Sequence, residues 1–276
     1  MPTTYAHQYF GSKVRAQLSH ELRTRIEPYE NLYDLGLQGP DLLFYYRPFQ
    51  KNPVSKKGHE IHQQPARLFF EAACNALPRV EDQEAATVYL LGFLCHFLLD
   101  SACHPLVNQV EEERKVQHNT IEKELDRMLM LKDGKDPLRY YPGSVLHLEA
   151  GDEAVIAAFY PEITAGQIRY ACRSMKRILY AIVTPGLFQY RMTLLLIRSL
   201  GKEKSFGSLL MARIPVPACK ESSAVLVSRL EESVLPAADL VEEWYQILTE
   251  TRRTGGLDDP FWGHSRLAER LASNFG

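Results

Sequence analysis

The sequence predicts an all-α protein, and three observations carry that expectation. Apolar residues recur at three- and four-residue spacing through most of the 276 residues. No segment alternates apolar and polar residues for long enough to read as a half-buried strand. The greasiest stretch, "GFLCHFLLDSACHP" over 92–105, is apolar nearly all round, as a helix at the centre of a bundle would be.

The elements follow in chain order. Phe10, Val14, Leu18, Leu22 and Ile26 line one helical face, which Pro28 stops. His7 projects from the same face and so points inward. The next stretch, "YDLGLQGPDLLFYYRPFQKNPVSKKGHEIH", is rich in glycine and proline and predicts a structured loop of about 25 residues rather than a helix. A helix is expected over 64–78, with Pro65 in its first turn. Asp82 can cap the central helix, with Pro105 following its end. A further helix covers about 117–132, with Ile121, Leu125, Met128 and Leu129 inward and Gly134 past its end. The C-terminal half reads as helices at about 152–160, 164–183, 186–201, 221–234 and 236–253, then a loop and a short helix. "GKEKS" reads as a solvated turn. This organisation suggests a core over 1–150 with a helical region over 151–276 packed on it, or one continuous domain.

Hydrophobic residues make up 45% and charged residues 24%, the balance of a soluble globular protein. A net charge of −2 gives no global pull toward nucleic acid or an anionic membrane, which leaves room for a local basic groove. The longest apolar run, Val88 to Leu99, is cut by His96, so no transmembrane helix is expected. The start, "MPTTYAHQYFGSK", has no charged leader before an apolar core. The five cysteines (Cys74, Cys95, Cys103, Cys172 and Cys219) follow no paired spacing. A reduced, cytoplasmic protein with buried thiols is the expectation.

The chemistry is concentrated in the central helix. His96 and Asp100 are one helical turn apart, His104 lies a turn further on, and His118 and Glu122 form a second pair. Spacing alone is weak, because 9 histidines and 34 acids give about one such pair by chance. Burial says more. A carboxylate in an apolar helix needs a positive partner. No lysine or arginine falls within the central helix as bounded here. Either a metal ion held by imidazole and carboxylate supplies that charge, or a hydrogen-bonded core network does.

The blocks "MPTTYAH", "GLQGPDLLFYY", "GHEIH", "GFLCHFLLDSACHP" and "HNTIEKELDR" together resemble the bacterial zinc-dependent phospholipase C family, most closely its signal-less intracellular branch. That family shares its metal scaffold with fungal zinc-dependent single-strand nucleases. The resemblance covers about residues 1–135. It implies a multi-helix bundle around two or three zinc ions. One ion would be held by Asp41, His62, His96 and Asp100, and a second by His104, His118 and Glu122. A third would use His7 and a bridging Asp100. His59 is the alternative to His62. Secreted members hold the third ion partly through an N-terminal tryptophan, which this chain lacks; the amine of Pro2 is the nearest substitute. They also place an aromatic residue after the loop carboxylate, near the choline headgroup, where this chain has Leu42.

The resemblance implies a phosphodiester hydrolase that uses a zinc-activated water, with Asp41 as ligand and catalytic base, acting on a phospholipid or a small phosphodiester. A single-strand nuclease and a non-catalytic metal-binding helical protein are the alternatives. No basic-aromatic run near the motifs favours nucleic acid. Among the other candidates, His59 reads as a solvent-facing neighbour, and His20, His147 and His264, with no acidic partner at helical spacing, as residues without a functional role. Cys95 and Cys103 read as packing residues, and Glu124 and Asp126 as part of a solvated face. Tyr45 and Tyr46 either wall a substrate pocket or pack the loop.

Overall fold

The computed structural model describes residues 4–199, 201, 207–257 and 265–274. Pro2, most of the "GKEKS" turn and His264 lie outside the described residues. The fold is all-α, and no strand occurs among the described residues; one isolated bridge joins Pro65 to Asn274. The helices are α1 (Thr4–Gln17), α2 (His20–Ile26), α3 (Glu30–Gly36), α4 (Pro53–Gln63), α5 (Ala66–Ala76), α6 (Gln83–Arg114), α7 (His118–Lys132), α8 (Asp152–Ala157), α9 (Ala165–Ala181), α10 (Leu187–Ser199), α11 (Lys220–Thr254) and α12 (Arg266–Arg270).

Helix α6 is the axis of the molecule. Asp82 caps it, accepting from the Ala85 N–H at 3.0 Å. By length and composition α6 could cross a bilayer, yet nearly all of its apolar stretch is buried by α3, α11, α1 and α7. Against α3 the backbones touch. A Cβ on Gly92 would sit 2.2 Å from the Tyr33 carbonyl oxygen, and one on Gly36 would sit 2.3 Å from that of Tyr89. Only glycine permits that approach. One core cluster runs from Tyr5 on α1 to Leu271 just past α12. Trp244 of α11 is fully buried within it, edge-on to Phe70 at 5.3 Å.

The structure corrects several boundaries. The run from His7 to Ile26 is two helices, because Ser19 caps a new start by accepting from the Leu22 N–H at 3.3 Å. All five apolar residues of that run are nonetheless buried. The expected loop over 33–62 holds the end of α3, a 3-10 turn at Gly39–Tyr45, and α4. Pro53 starts α4 instead of breaking a helix, since Asn52 caps it through the Ser55 N–H at 2.9 Å. Pro105 does not end α6, which runs on to Arg114 and closes with Lys115 in the left-handed region. Helices expected at 221–234 and 236–253 are one helix, α11, that passes through Pro236. Each proline removes a backbone hydrogen bond. Burial of Val107 and Val110 beyond Pro105, and of Ala237, Ala238 and Val241 beyond Pro236, keeps each helix going.

Glu124 and Asp126 are buried, not solvated. Glu124 pairs with the equally buried Arg127 at 2.9 Å, and Arg127 also donates to the Ala212 carbonyl. Asp126 accepts from the Ala6 N–H at 2.7 Å and the Tyr5 N–H at 3.4 Å, which ties the start of α1 to α7. Burial pushes its carboxyl up to about 8, against the lowering effect of those two donors.

Candidate metal centre

Five elements bring the predicted residues together. Helix α6 contributes His96, Asp100 and His104 along one face, and α7 contributes Glu122 with His118 at its first position. Helix α1 contributes His7, the 3-10 turn Asp41, and the last turn of α4 His62.

Asp100 lies at the middle. Its Oδ1 is 3.3 Å from His7 Nε2 and 3.7 Å from His104 Nε2, and its Oδ2 is 3.1 Å from His96 Nε2. The rings of His7 and His96 stack with centroids 4.2 Å apart. Asp41 reaches His62 Nε2 at 3.1 Å and His96 Nε2 at 3.6 Å. Glu122 Oε1 lies 3.3 Å from His104 Nε2 and 3.1 Å from His118 Nε2.

Two backbone carbonyls orient the imidazoles. Leu37 O is 3.1 Å from His96 Nδ1, and Gly58 O is 2.7 Å from His62 Nδ1. A carbonyl only accepts, so each Nδ1 carries the proton and each Nε2 is left as the ligating nitrogen. The close packing of His96 against the turn explains the glycine in "GPD". Gly39 has φ of +51°, and a Cβ there would lie 2.4 Å from His96 Cδ2. Gly39→Ala should therefore lower the unfolding free energy by about 1–3 kcal/mol, through backbone strain and displacement of His96. Denaturant unfolding and zinc content of the variant check this; an unchanged midpoint would show that the turn has room to spare.

Charge follows geometry. Burial by itself would raise the Asp100 carboxyl, but His104, His96 and His7 around it hold it well below the usual range. Burial would likewise raise Glu122, and His104 and His118 hold it down. Burial lowers the His104 imidazole, but Asp100 and Glu122 outweigh this and raise it to about 9. His62 is also raised, by Asp41, against the effect of its burial.

The donor atoms fall into three groups, each within 4.8 Å: His7 with His96 and Asp100, Asp41 with His62 and His96, and His104 with His118 and Glu122. One imidazole nitrogen serves one ion, so the two groups that share His96 compete for it. Asp100, which the resemblance assigns to the ion of Asp41 and His62 and, as a bridge, to that of His7, falls here beside His7 and also faces His104. The residues fit zinc. Imidazole nitrogen and carboxylate oxygen are its usual hard and borderline donors. Asp41 Oδ2, Glu122 Oε2 and His7 Nδ1 are buried with no hydrogen bond, and leaving such an atom unsatisfied costs about 1–3 kcal/mol.

A model of the zinc-dependent phospholipase C family matches residues 6–179. The chain belongs to that family. Searches of curated proteins and of solved structures each returned no match. The family match reaches further than the motifs, which end near residue 135. It takes in α8 and most of α9, and α9 packs over the turn that carries Asp41. Zinc dependence is thus the family's character, and the three donor groups are where this member can hold the metal.

Beside Glu122 opens a narrow cleft of about 60 Å³. Tyr45, Asp126, Tyr140, Leu179, Ile182 and Met211 are among its walls. Of the two tyrosines left open by sequence, Tyr45 is buried and lines this cleft, while Tyr46 packs edge-on to Tyr170 at 5.2 Å. Asp126 was missed as a cleft residue, although it lies one turn beyond Glu122 on the same face of α7. Leu42 is buried in the core, and Phe44 instead turns its ring toward His59 and His62 at 4.5 and 5.4 Å. His59, His20 and His147 are solvent-exposed. All five cysteines are buried and unbridged, and burial pushes the Cys95 and Cys103 thiols up to about 12.

Proposed function

We propose that this protein is a phospholipase C-like phosphodiesterase that hydrolyses a phospholipid or a small phosphodiester. The observation that carries this reading is the convergence of three carboxylates and five histidines beside an open cleft, in a chain of the zinc-dependent phospholipase C family. His62, His96 and Asp41 would hold one ion and His104, His118 and Glu122 another, with His7 and Asp100 completing the centre. Bound zinc supplies charge for the phosphoryl oxygens and lowers the pKa of water.

The protein's own groups do the rest. Asp41 Oδ2 has no hydrogen-bond donor of its own, so it is placed to take a proton from the attacking water. Asp100 holds three imidazoles at fixed separation. Leu37 O and Gly58 O lock the tautomers of His96 and His62, so neither ring turns during the reaction. The cleft beside Glu122, with its apolar walls, would receive the non-phosphoryl part of the substrate.

The test is hydrolysis of a chromogenic choline phosphodiester, assayed beside single-stranded DNA with zinc-loaded protein. Turnover of the diester, reduced about 100-fold by Asp41→Asn, is expected, the scale of a lost general base. Cleavage of DNA alone would make it a nuclease, and no turnover of either by fully loaded protein would remove catalysis from the reading.

A further inference from the structure

We propose that the outer face of α10 is a docking surface for an anionic lipid bilayer. The proposal rests on the phosphodiesterase reading only for its purpose, since binding can be measured without turnover. Helix α10, "LFQYRMTLLLIRS", is apolar on two sides and covered on one. Its inner side sets Tyr190, Leu194 and Ile197 against Ile178 and Ile182 of the α9 end and against Leu209 and Leu210. Its outer side leaves Phe188 76% exposed and Leu195 and Leu196 each 60% exposed, with Met192 between them. Ile214, 78% exposed, is held near the start of the helix, because Arg213 beside it donates twice to the Pro185 carbonyl at 3.1 Å. Large apolar side chains grouped in this way on a surface mark a place where something docks.

Charge identifies the occupant. Residues 164–219 contain nine lysines and arginines and one acid, Glu203, so the segment carries +8 in a chain whose net charge is −2. Everything else in the protein is therefore strongly acidic. Arg191 and Arg198 lie on one flank of the α10 outer face, where long side chains can keep their charge in water while the helix sinks. Exposed leucine and phenylalanine flanked by arginine, with no acid within the helix itself, is the composition of a helix that lies in a bilayer interface and prefers anionic lipid. An acidic protein groove would complement the charge equally, but the face offers it few side-chain hydrogen bonds.

Position supports the same occupant. The segments on either side of α10 supply Leu179, Ile182, Val183, Leu209 and Met211 to the cleft that reaches Glu122. A bilayer seated on α10 would lie next to the mouth of that cleft, and a lipid could move from one to the other without crossing open water.

The experiment is co-sedimentation of the full chain with vesicles of phosphatidylcholine alone and of phosphatidylcholine mixed equally with phosphatidylglycerol. Partition onto the mixed vesicles, weakened by added salt, is expected. Phe188→Ser with Leu195→Ser should reduce it at least tenfold, and Arg191→Glu about tenfold on the mixed vesicles only. Melting curves and zinc content show that these variants remain folded. Asp41→Asn should bind vesicles like the parent, which separates failure of docking from failure of the catalytic reading. The proposal is overturned by no partition onto either vesicle, or by partition that the α10 substitutions leave intact. It is also overturned if those substitutions instead abolish a dimer in sedimentation velocity, or binding to single-stranded DNA.

Discussion

Asp100→Asn should empty the metal centre and cut phosphodiester hydrolysis by about 1,000-fold or more, the scale expected when a metal-assisted site loses both charge neutralisation and its activated water. The variant keeps the shape of the side chain and removes its charge. In the parent, that charge is shared among His7, His96 and His104, at 3.3, 3.1 and 3.7 Å. Without it, cations would share a neutral amide: the group of His7 and His96 would lose its carboxylate, and His104 in the Glu122 group would lose a neighbouring charge. Glu122→Gln is the control. It faces only His104 and His118, so it should empty mainly that group and leave His7, Asp41, His62 and His96 able to load. Metal per chain for the parent and both variants, measured with activity in parallel, decides between them. Full metal content in Asp100→Asn would show that Asp100 is a hydrogen-bonded core residue, and that the centre is organised by something else.

Much of this centre was legible because it rests on helical periodicity. His96, Asp100 and His104 share a face by spacing alone, and so do His118 and Glu122. The burial of Asp100 followed from the apolar residues around it. The way the three-dimensional groups divide was less legible. How closely Asp100 approaches His7 and Asp41 depends on how α1 and the 3-10 turn pack on α6, which no local pattern encodes. The same limit explains Glu124 and Asp126. Their spacing from Glu122 was visible, but a carboxylate reads as solvated unless its partner is known. Here the partners are Arg127, on the next turn, and the amides of Tyr5 and Ala6, about 120 residues away along the chain. Prolines misled for a related reason. Pro105 and Pro236 each cost one backbone hydrogen bond, which is a local signal, while the burial that carries α6 and α11 past them is tertiary. Asp82 and Gly134 placed helix ends close to where they fall, because a cap is a local interaction.

Removing zinc should lower the melting temperature by about 10 °C at pH 8, and the difference between loaded and chelated protein should widen as pH rises from 6.5 to 9. The sign follows from the groups that face each other. In the metal-free protein the folded His104 has its pKa raised from 6.5 to about 9, by Asp100 and Glu122 working against burial. A raised histidine contributes stability fully below 6.5, and that contribution is lost as pH climbs through about 9. His62 shifts the same way. Asp100 and Glu122 are depressed, so their contribution is present above the ordinary carboxylate range and is lost only as pH falls below it. The chelated protein should therefore be most stable between about pH 5 and 6.5 and weaken toward 9. Zinc behaves oppositely, because it binds bare nitrogen and must displace the proton that His104 otherwise keeps. Its stabilisation grows over the same interval in which the metal-free protein declines. Calorimetric melts of loaded and chelated protein at half-unit steps, with elemental analysis of each, would read this directly. Coincident melting curves after verified metal loss, or a gap that narrows toward pH 9, would mean that these histidines are satisfied by one another and not by a cation.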